Sequence, residues 1–305
     1  MKETIHIKSV SQFHQLVGQS KPRHPLVSVE RGFDYSSHTT QFNGIRFVSD
    51  LFLIVLKEGV CGKVMYGHNA YDFEEGTLLF FAPGQAMEFE SNVEMDGHVR
   101  EAWRLIFHPD LIRKSDLANH IDEYSFFNYD LNEGLHLSQD EKDTIEEILV
   151  KIVNEYNQHI DRHSHRLINS NIHLLLDYCL RFYDRQFYTR TNLNSDVVSK
   201  FERLLKDYFK TGKAVELGVP SVSYCANELS LSTNYFSDLL KKETGKSAQE
   251  HIHTFIIDKA KTMLLGSTDS ISQIGYALGF EYPNYFSNLF KSHTGVSPRV
   301  FRNLN

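Results

Sequence analysis

The C-terminal third of this chain carries one pattern twice, and that repeat restricts the fold more than any other feature. The first copy reads Ala226-Asn-Glu-Leu229-Ser-Leu231-Ser-Thr-Asn-Tyr235-Phe236-Ser237-Asp-Leu239-Leu240-Lys241 and ends at Thr244-Gly245 and Ser247. The second reads Gly275-Tyr-Ala-Leu278-Gly-Phe280-Glu-Tyr-Pro-Asn-Tyr285-Phe286-Ser287-Asn-Leu289-Phe290-Lys291 and ends at Thr294-Gly295 and Ser297. Leu229 and Leu278 are 49 positions apart and Tyr235 and Tyr285 are 50 apart. One copy therefore has an extra residue at a turn between two helices, where an insertion disturbs least. Each copy has helix-turn-helix spacing. Two such units would set their second helices roughly one DNA turn apart, if both face the same way.

In each unit the first helix, residues 222–230 and 271–278, is expected to bury Ala226, Leu229, Ile274 and Leu278. A small residue at Ala226 or Gly275 lets the second helix cross closely, and Gly279 suits a turn that needs positive φ. Ser232 is the expected N-cap of one second helix, and Pro283 fits the first turn of the other. Phe236, Leu239 and Leu240, and then Phe286, Leu289 and Phe290, must face inward. The opposite face of the recognition helices, residues 233–242 and 283–291, is left for the groove. It offers Thr233, Asn234, Ser237, Asp238 and Lys241 in the first copy. In the second it offers Tyr282, Asn284, Ser287, Asn288 and Lys291.

These side chains suit base edges in different ways. Asn pairs bidentately with adenine, Ser pairs with several bases, and Tyr or Thr touches a thymine methyl. Lys241 and Lys291, near the helix ends, suit phosphate rather than bases. Each outward polar residue also has the plainer reading of a solvated face. Asp238 fits least well, since a carboxylate repels phosphate unless it accepts from a cytosine amine.

The net charge of −7 is unusual for a partner of DNA, so its distribution matters. From Asp196 onward there are 13 lysines and arginines against 11 aspartates and glutamates, a balance of +2, which leaves −9 for the rest. Charge permits nucleic-acid binding without suggesting it, so affinity would need geometry, dimerisation or both. No apolar run approaches the roughly 18 residues of a membrane span, and residues 1–10 lack the apolar stretch of a signal peptide. Cys61, Cys179 and Cys225 have neither disulfide nor zinc spacing, which points to the cytoplasm.

Toward the N-terminus the pattern changes to short apolar runs separated by glycines. Residues 51–56, 63–66, 77–81 and 104–107 read as strands, the last closed by His108-Pro109. Such a pattern suggests a small antiparallel barrel or jelly roll. Ser138-Gln-Asp-Glu141 is a capping box, followed by Ile145, Ile148, Leu149, Ile152 and Tyr156 at helical spacing. A second helix carries Ile168, Ile172, Leu175, Leu176, Cys179 and Tyr183 on one stripe. That pair either packs on its own barrel or forms a dimer seam, and the dimer seam is favoured here. Residues 189–196 are polar and read as a linker, and residues 252–265 as the helix joining the two repeat units.

The doubled pattern resembles the AraC/XylS family of transcription regulators. The second unit carries most of the likeness: Ile271-Ser-Gln-Ile274-Gly-Tyr-Ala-Leu-Gly279-Phe280, Asn284-Tyr-Phe286-Ser-Asn-Leu-Phe290-Lys291, Thr294-Gly295-Val-Ser297-Pro298 and Arg302. Relatives often have a basic residue where Asp238 and Asn288 stand, so an operator sequence does not carry over. Gly62-Lys-Val-Met-Tyr-Gly67-His68, Glu75-Gly76 and Leu78-Leu-Phe-Phe-Ala-Pro83-Gly84 resemble, more weakly, the cupin-like sensing barrel of that family. Phe52, Ile54, Phe80, Phe81, Met87 and Trp103 would line its pocket or simply form its core. Metal cupins resemble one another in His-x-His, a later Glu and a further His after Pro-Gly. Here Ala70 follows His68, Met87 follows Pro83-Gly84, and His98 and His108 read as strand-end residues. No nucleophile elbow, Walker or dinucleotide motif is present.

The expected fold is α+β and multidomain. It comprises a cupin-like sensor over residues 1–135, a helical linker and dimerisation region over 136–190, and an all-α domain of two helix-turn-helix units over 191–305. The resemblance implies a cytoplasmic, sequence-specific transcription regulator and no enzyme. Its implied partners are double-stranded promoter DNA, a second copy as homodimer, RNA polymerase and a small-molecule effector whose binding residues stay unassigned. No metal, no other cofactor and no membrane is expected. The alternatives are a scaffold protein that has lost DNA reading, and a metal-dependent cupin enzyme.

Overall fold

The computed structural model describes residues 4–33, 46–58, 76–88, 100–130, 133–158, 161–189 and 191–304. The chain divides into two compact units, Met1–Arg190 and Thr191–Asn305. In the first, the strands are β1 (Thr4–Ile7), β2 (Val27–Phe33), β3 (Arg46–Ser49), β4 (Phe52–Glu58), β5 (Gly76–Phe81), β6 (Ala86–Glu88), β7 (Arg100–Phe107) and β8 (Leu135–Leu137). Its helices are α1 (Val10–Leu16), α2 (Leu117–His120), α3 (Gln139–Asn157) and α4 (Ser164–Thr189). Two sheets result, of order β1-β3-β6 and β2-β7-β4-β5-β8, and the larger is antiparallel throughout.

The run at residues 51–56 is apolar at every position because β4 lies inside the larger sheet with both faces covered. Leu53 and Val55 join Leu79 and Ile106 on one face, against Val10 and Phe13 of α1 and Phe47 of β3. On the other face Phe52 stacks on Phe107 at 4.9 Å, Phe80 lies 4.4 Å from Phe126, and Phe126 stacks on Tyr183 of α4 at 5.3 Å. Strand alternation therefore splits the expected pocket residues. Phe52, Ile54, Phe80 and Trp103 are buried, whereas Phe81 packs on the opposite face with the α1 cluster, so the set does not line one cavity. Nothing is described of the Met87 side chain beyond its strand, where its Cα pairs with Phe47.

Among the described residues the two sheets are open and do not close into the expected barrel. The expected strand at residues 63–66 lies outside the described residues, as do His68, Ala70, Glu75 and His98. His108 ends β7, and its Nδ1 accepts from the Asp110 N–H at 3.1 Å.

The capping box at Ser138 forms. Ser138 Oγ accepts from the Glu141 N–H at 3.3 Å, and the Glu141 carboxylate accepts from the Ser138 N–H at 3.0 Å. Arg185 of α4 also donates to Glu141, at 3.0 and 2.6 Å, which ties α3 to α4. The α4 stripe favoured as a dimer seam, from Ile168 through Cys179 to Tyr183, is buried inside its own unit. A five-stranded sheet has a large apolar face to cover, and α3 and α4 cover it.

The second unit is all helix: α5 (Thr191–Lys210), α6 (Lys213–Leu217), α7 (Val222–Glu228), α8 (Thr233–Thr244), α9 (Ala248–Gly266), α10 (Ile271–Ala277), α11 (Pro283–Thr294) and α12 (Pro298–Leu304). The expected linker at residues 189–196 is a correction, because Thr189 ends α4 and residues 191–196 belong to α5. Polar composition misled there. Asn194 is 3% exposed, and its amide donates to Glu243 of α8 at 2.7 Å, so a polar side chain is buried with its partner. Helix α9 packs against α8, α10, α11 and α12 and is the spine of the unit.

Candidate nucleic-acid interface

Each helix-turn-helix unit is built from the residues its pattern singles out. Ser232 caps α8, its hydroxyl accepting from the Tyr235 N–H at 3.2 Å. Tyr282 is the N-cap residue of α11 and makes no side-chain cap bond; Pro283 opens that helix, and the Tyr285 N–H donates to the Tyr282 carbonyl at 3.0 Å. Helices α7 and α10 end 49 residues apart, at Glu228 and Ala277, while α8 and α11 begin 50 apart. The inserted residue thus falls in the turn.

Both second helices also end alike. Gly245 and Gly295 take left-handed conformations, with φ of 73° and 80°. Thr244 donates to the Leu240 carbonyl and Thr294 to the Phe290 carbonyl, each at 2.7 Å.

The inward face of each second helix is anchored by buried aromatic rings. Phe236, Phe286 and Phe290 are fully buried. Phe201 of α5 meets Phe236 edge-on at 5.0 Å, and Phe301 of α12 meets Phe290 at 5.4 Å. Leu239 and Leu240 are buried, but Leu289 is only half-buried, so one of the expected inward residues reaches the rim. Arg302 donates to the Leu264 carbonyl of α9 at 3.0 Å, which makes it a clamp for α12.

The turn between α10 and α11 is tightly packed against α6 and the residues after it. Gly279 has φ of +90°, and a Cβ there would lie 2.6 Å from the Gly218 carbonyl carbon and 2.8 Å from Ala214 O and Val219 N. The matching residue of the first unit, Ser230, also has positive φ, at 58°, despite being no glycine.

The expected contact residues lie along the outer sides of α8 and α11. Thr233, Asn234, Ser237 and Asp238 are half-buried, and Lys241 is exposed in the last turn of α8. The Ser237 hydroxyl donates to the Thr233 backbone carbonyl at 2.8 Å, so the serine proton is already engaged along the helix. In α11 Asn284, Asn288 and Lys291 are exposed and Ser287 is half-buried. Asn284, Asn288 and Lys291 follow helical spacing and share one side. Tyr282 is 55% exposed. The second helix therefore presents more of its polar face than the first.

The sequence reading missed one exposed residue of this face. Tyr285 is 66% exposed, whereas its repeat equivalent Tyr235 is 6% exposed. The matching letters concealed the difference.

Titration in the unit follows burial. Desolvation lowers His251 and His253 of α9, with Lys246 adding to the first and His293 to the second. Burial pushes the Cys225 thiol up to about 11, with the Glu228 charge adding, which leaves it a core thiol rather than a nucleophile. The Ser247 N–H and hydroxyl hold the Glu250 carboxyl below its ordinary range in the capping box of α9. Among the described residues no group of three or more His, Cys, Asp and Glu side chains is arranged to hold a metal ion. No described helix is long and apolar enough to cross a membrane.

These features define a doubled helix-turn-helix domain. Residues 225–304 match the family model described as a helix-turn-helix domain. The chain is similar to the uncharacterized HTH-type transcriptional regulator YobQ of Bacillus subtilis, with 38% identity over 69 residues, 23% of this chain and 29% of that protein. It is also similar to the uncharacterized transcriptional regulatory protein YesN of Bacillus subtilis, with 34% identity over 113 residues, 35% of this chain and 28% of that protein. Among solved structures, the C-terminal domain of the two-component response regulator yesN from Fusobacterium nucleatum is 27% identical. It covers 33% of this chain and 96% of that chain, with a TM-score of 0.30. The chain spans less than a third of the length of these two curated relatives. Residues 225–304 are thus a helix-turn-helix domain, and the likeness to the curated relatives is confined to a minor part of the chain.

Proposed function

We propose that this chain is a sequence-specific DNA-binding transcriptional regulator. The observation that carries the reading is the pair of complete helix-turn-helix units on the α9 spine, with exposed Asn284, Asn288 and Lys291 on the second recognition helix. The family match over residues 225–304 and relatives named as transcriptional regulators support it. In this reading α8 and α11 enter successive major-groove segments of promoter DNA. Thr233, Asn234, Ser237, Asp238, Tyr282, Asn284, Ser287 and Asn288 face base edges, and Lys241 and Lys291 face phosphate.

The N-terminal unit takes the sensing role in this proposal. A small-molecule effector there would act by shifting a population between DNA-competent and incompetent states, with no chemistry. The indole N–H of Trp103 is buried with no acceptor among the described residues, which supports an effector oxygen or nitrogen beside it. Homodimerisation is assigned to the outer side of α4, where Leu167 and Leu174 are exposed seven residues apart on one face. RNA polymerase is the expected further partner, and the cytoplasm the expected compartment.

The test is selection of bound fragments from genomic DNA by the purified full chain at near-physiological salt. A recurring motif of two sub-sites about one helical turn apart is the expected result. Recovery without any motif, both with and without cell-extract small molecules, would overturn the reading. Sedimentation of a Leu167→Glu, Leu174→Glu variant tests the dimer separately, with a shift to monomer expected.

A further inference from the structure

Two tyrosines stand at the entrance of the second recognition helix. Tyr282 is the residue before α11 and Tyr285 lies in its first turn, with ring centroids 5.7 Å apart and planes at 89°. They are 55% and 66% exposed, which is unusual for two large rings in contact on one end of one helix. The first unit has no such feature. Its matching tyrosine, Tyr235, is 6% exposed, and its helix is capped by Ser232. Tyr282 makes no side-chain cap bond to α11, and its ring meets that of Tyr285 edge-on.

Resting on the regulator reading, we infer that Tyr285, held by Tyr282, is a specificity-determining residue that reads thymine through its 5-methyl group. The N-terminal residues of a recognition helix are those that reach base edges. An aromatic ring there offers an apolar face, and in the major groove the apolar mark that separates thymine from cytosine is the methyl group. Held by a T-shaped neighbour, the ring loses little further freedom on binding. Asn284 and Asn288 beside it supply hydrogen-bonding groups, so the second unit combines an amide reader of adenine with an aromatic reader of its partner thymine. The first unit, its tyrosine turned into the core, reads without this contact.

The experiment replaces each thymine of the selected DNA fragments, one at a time, by deoxyuridine, which lacks only the methyl group. Affinity is measured for the full-length protein and for Tyr285→Ala, Tyr285→Phe and Tyr282→Ala. For the unaltered protein, one or two thymines within a single sub-site should each lose about fourfold in affinity on losing the methyl group. Tyr285→Ala should erase that difference, Tyr285→Phe should keep it, and Tyr282→Ala should weaken it. A flat uracil scan, or a thymine preference that survives in Tyr285→Ala, overturns the inference while leaving selective DNA binding intact. A flat scan combined with lost transcription by purified RNA polymerase in Tyr285→Ala would also overturn it and place the tyrosine pair on a protein partner. Failure of the unaltered protein to select DNA at all is the separate failure of the regulator reading.

Discussion

The two helix-turn-helix units have the same caps at their C-terminal ends and the same buried phenylalanine in the second helix, yet they bury different parts of their first turn. In the first unit α5 lies against α8, with Phe201 on Phe236, and Tyr235 is buried. In the second unit the crowding has moved to the turn itself, where Gly279 sits against Gly218 and Ala214, and Tyr285 is left in solvent. A repeat in sequence is a repeat of local structure. What covers each copy depends on which helices its neighbours supply, and these are not repeated.

The largest effect that would break this comparison is in the core. Tyr235→Ala should destabilise the C-terminal unit by about 3 kcal/mol or more, as aromatic truncation in a core does. Tyr285→Ala should change stability by less than about 0.5 kcal/mol, as at other exposed positions. Equal urea midpoint shifts for the two variants would show that the units are packed alike after all.

The next effect is at the turns and has opposite signs. Gly279→Ala combines a positive φ with backbone contacts under 3 Å, and should cost about 2–4 kcal/mol. Ser230→Gly relieves the left-handed serine and should stabilise by up to about 1 kcal/mol. Thermal melts of the two variants suffice, and a destabilised Ser230→Gly would mean that the serine side chain contributes more than its strain costs.

Smaller effects fall on binding. Removing one phosphate contact lowers the salt slope of log affinity by about 1, and Lys241→Ala and Lys291→Ala should each do so without altering the preferred motif. A changed motif in either variant would make that lysine a base reader.

The smallest expected effect is of pH. His251 and His253 are lowered in the folded state, so the unfolded chain binds protons more readily over the interval below 6.5. Stability from these groups is complete above about 6.5 and declines as pH falls from there toward the folded values. A melting temperature lower at pH 5.5 than at pH 7.5, with part of the difference removed in His251→Gln, is the expected observation. His251 is hydrogen-bonded to Thr244 of the first unit at 2.7 Å, while His253 meets His293 of α11 in the second, so the sensitivity is shared between the two units.

Much of the C-terminal unit is legible in the sequence because its signals are local. Ser232, Pro283, Gly245 and Gly295 set helix ends through bonds and backbone angles within a few residues of themselves. The capping boxes at Ser247–Glu250 and Ser270–Gln273 follow the same spacing as Ser138–Glu141. The strands at β4, β5 and β7 are marked by runs of apolar residues. The polar stretch at residues 191–196 was misread as linker because its partner, Glu243, is about fifty positions away in the chain. Arg104 gave no signal of burial either. Its guanidinium is paired with Glu30, the residue directly opposite on β2, and lies 4.9 Å over the Phe13 ring, contacts that strand pairing and the packing of α1 bring together.

The sequence by itself determined the doubled helix-turn-helix unit, the place of its extra turn residue, the helix caps and the inward phenylalanines, because periodicity and capping act over one or two turns of chain. Only the tertiary structure decided that Tyr235 is core while Tyr285 is surface, that the α4 stripe covers its own sheet, and that the larger sheet stays open among the described residues. Burial depends on what arrives from elsewhere in the chain, and identical residues at matching positions of a repeat can be given different neighbours.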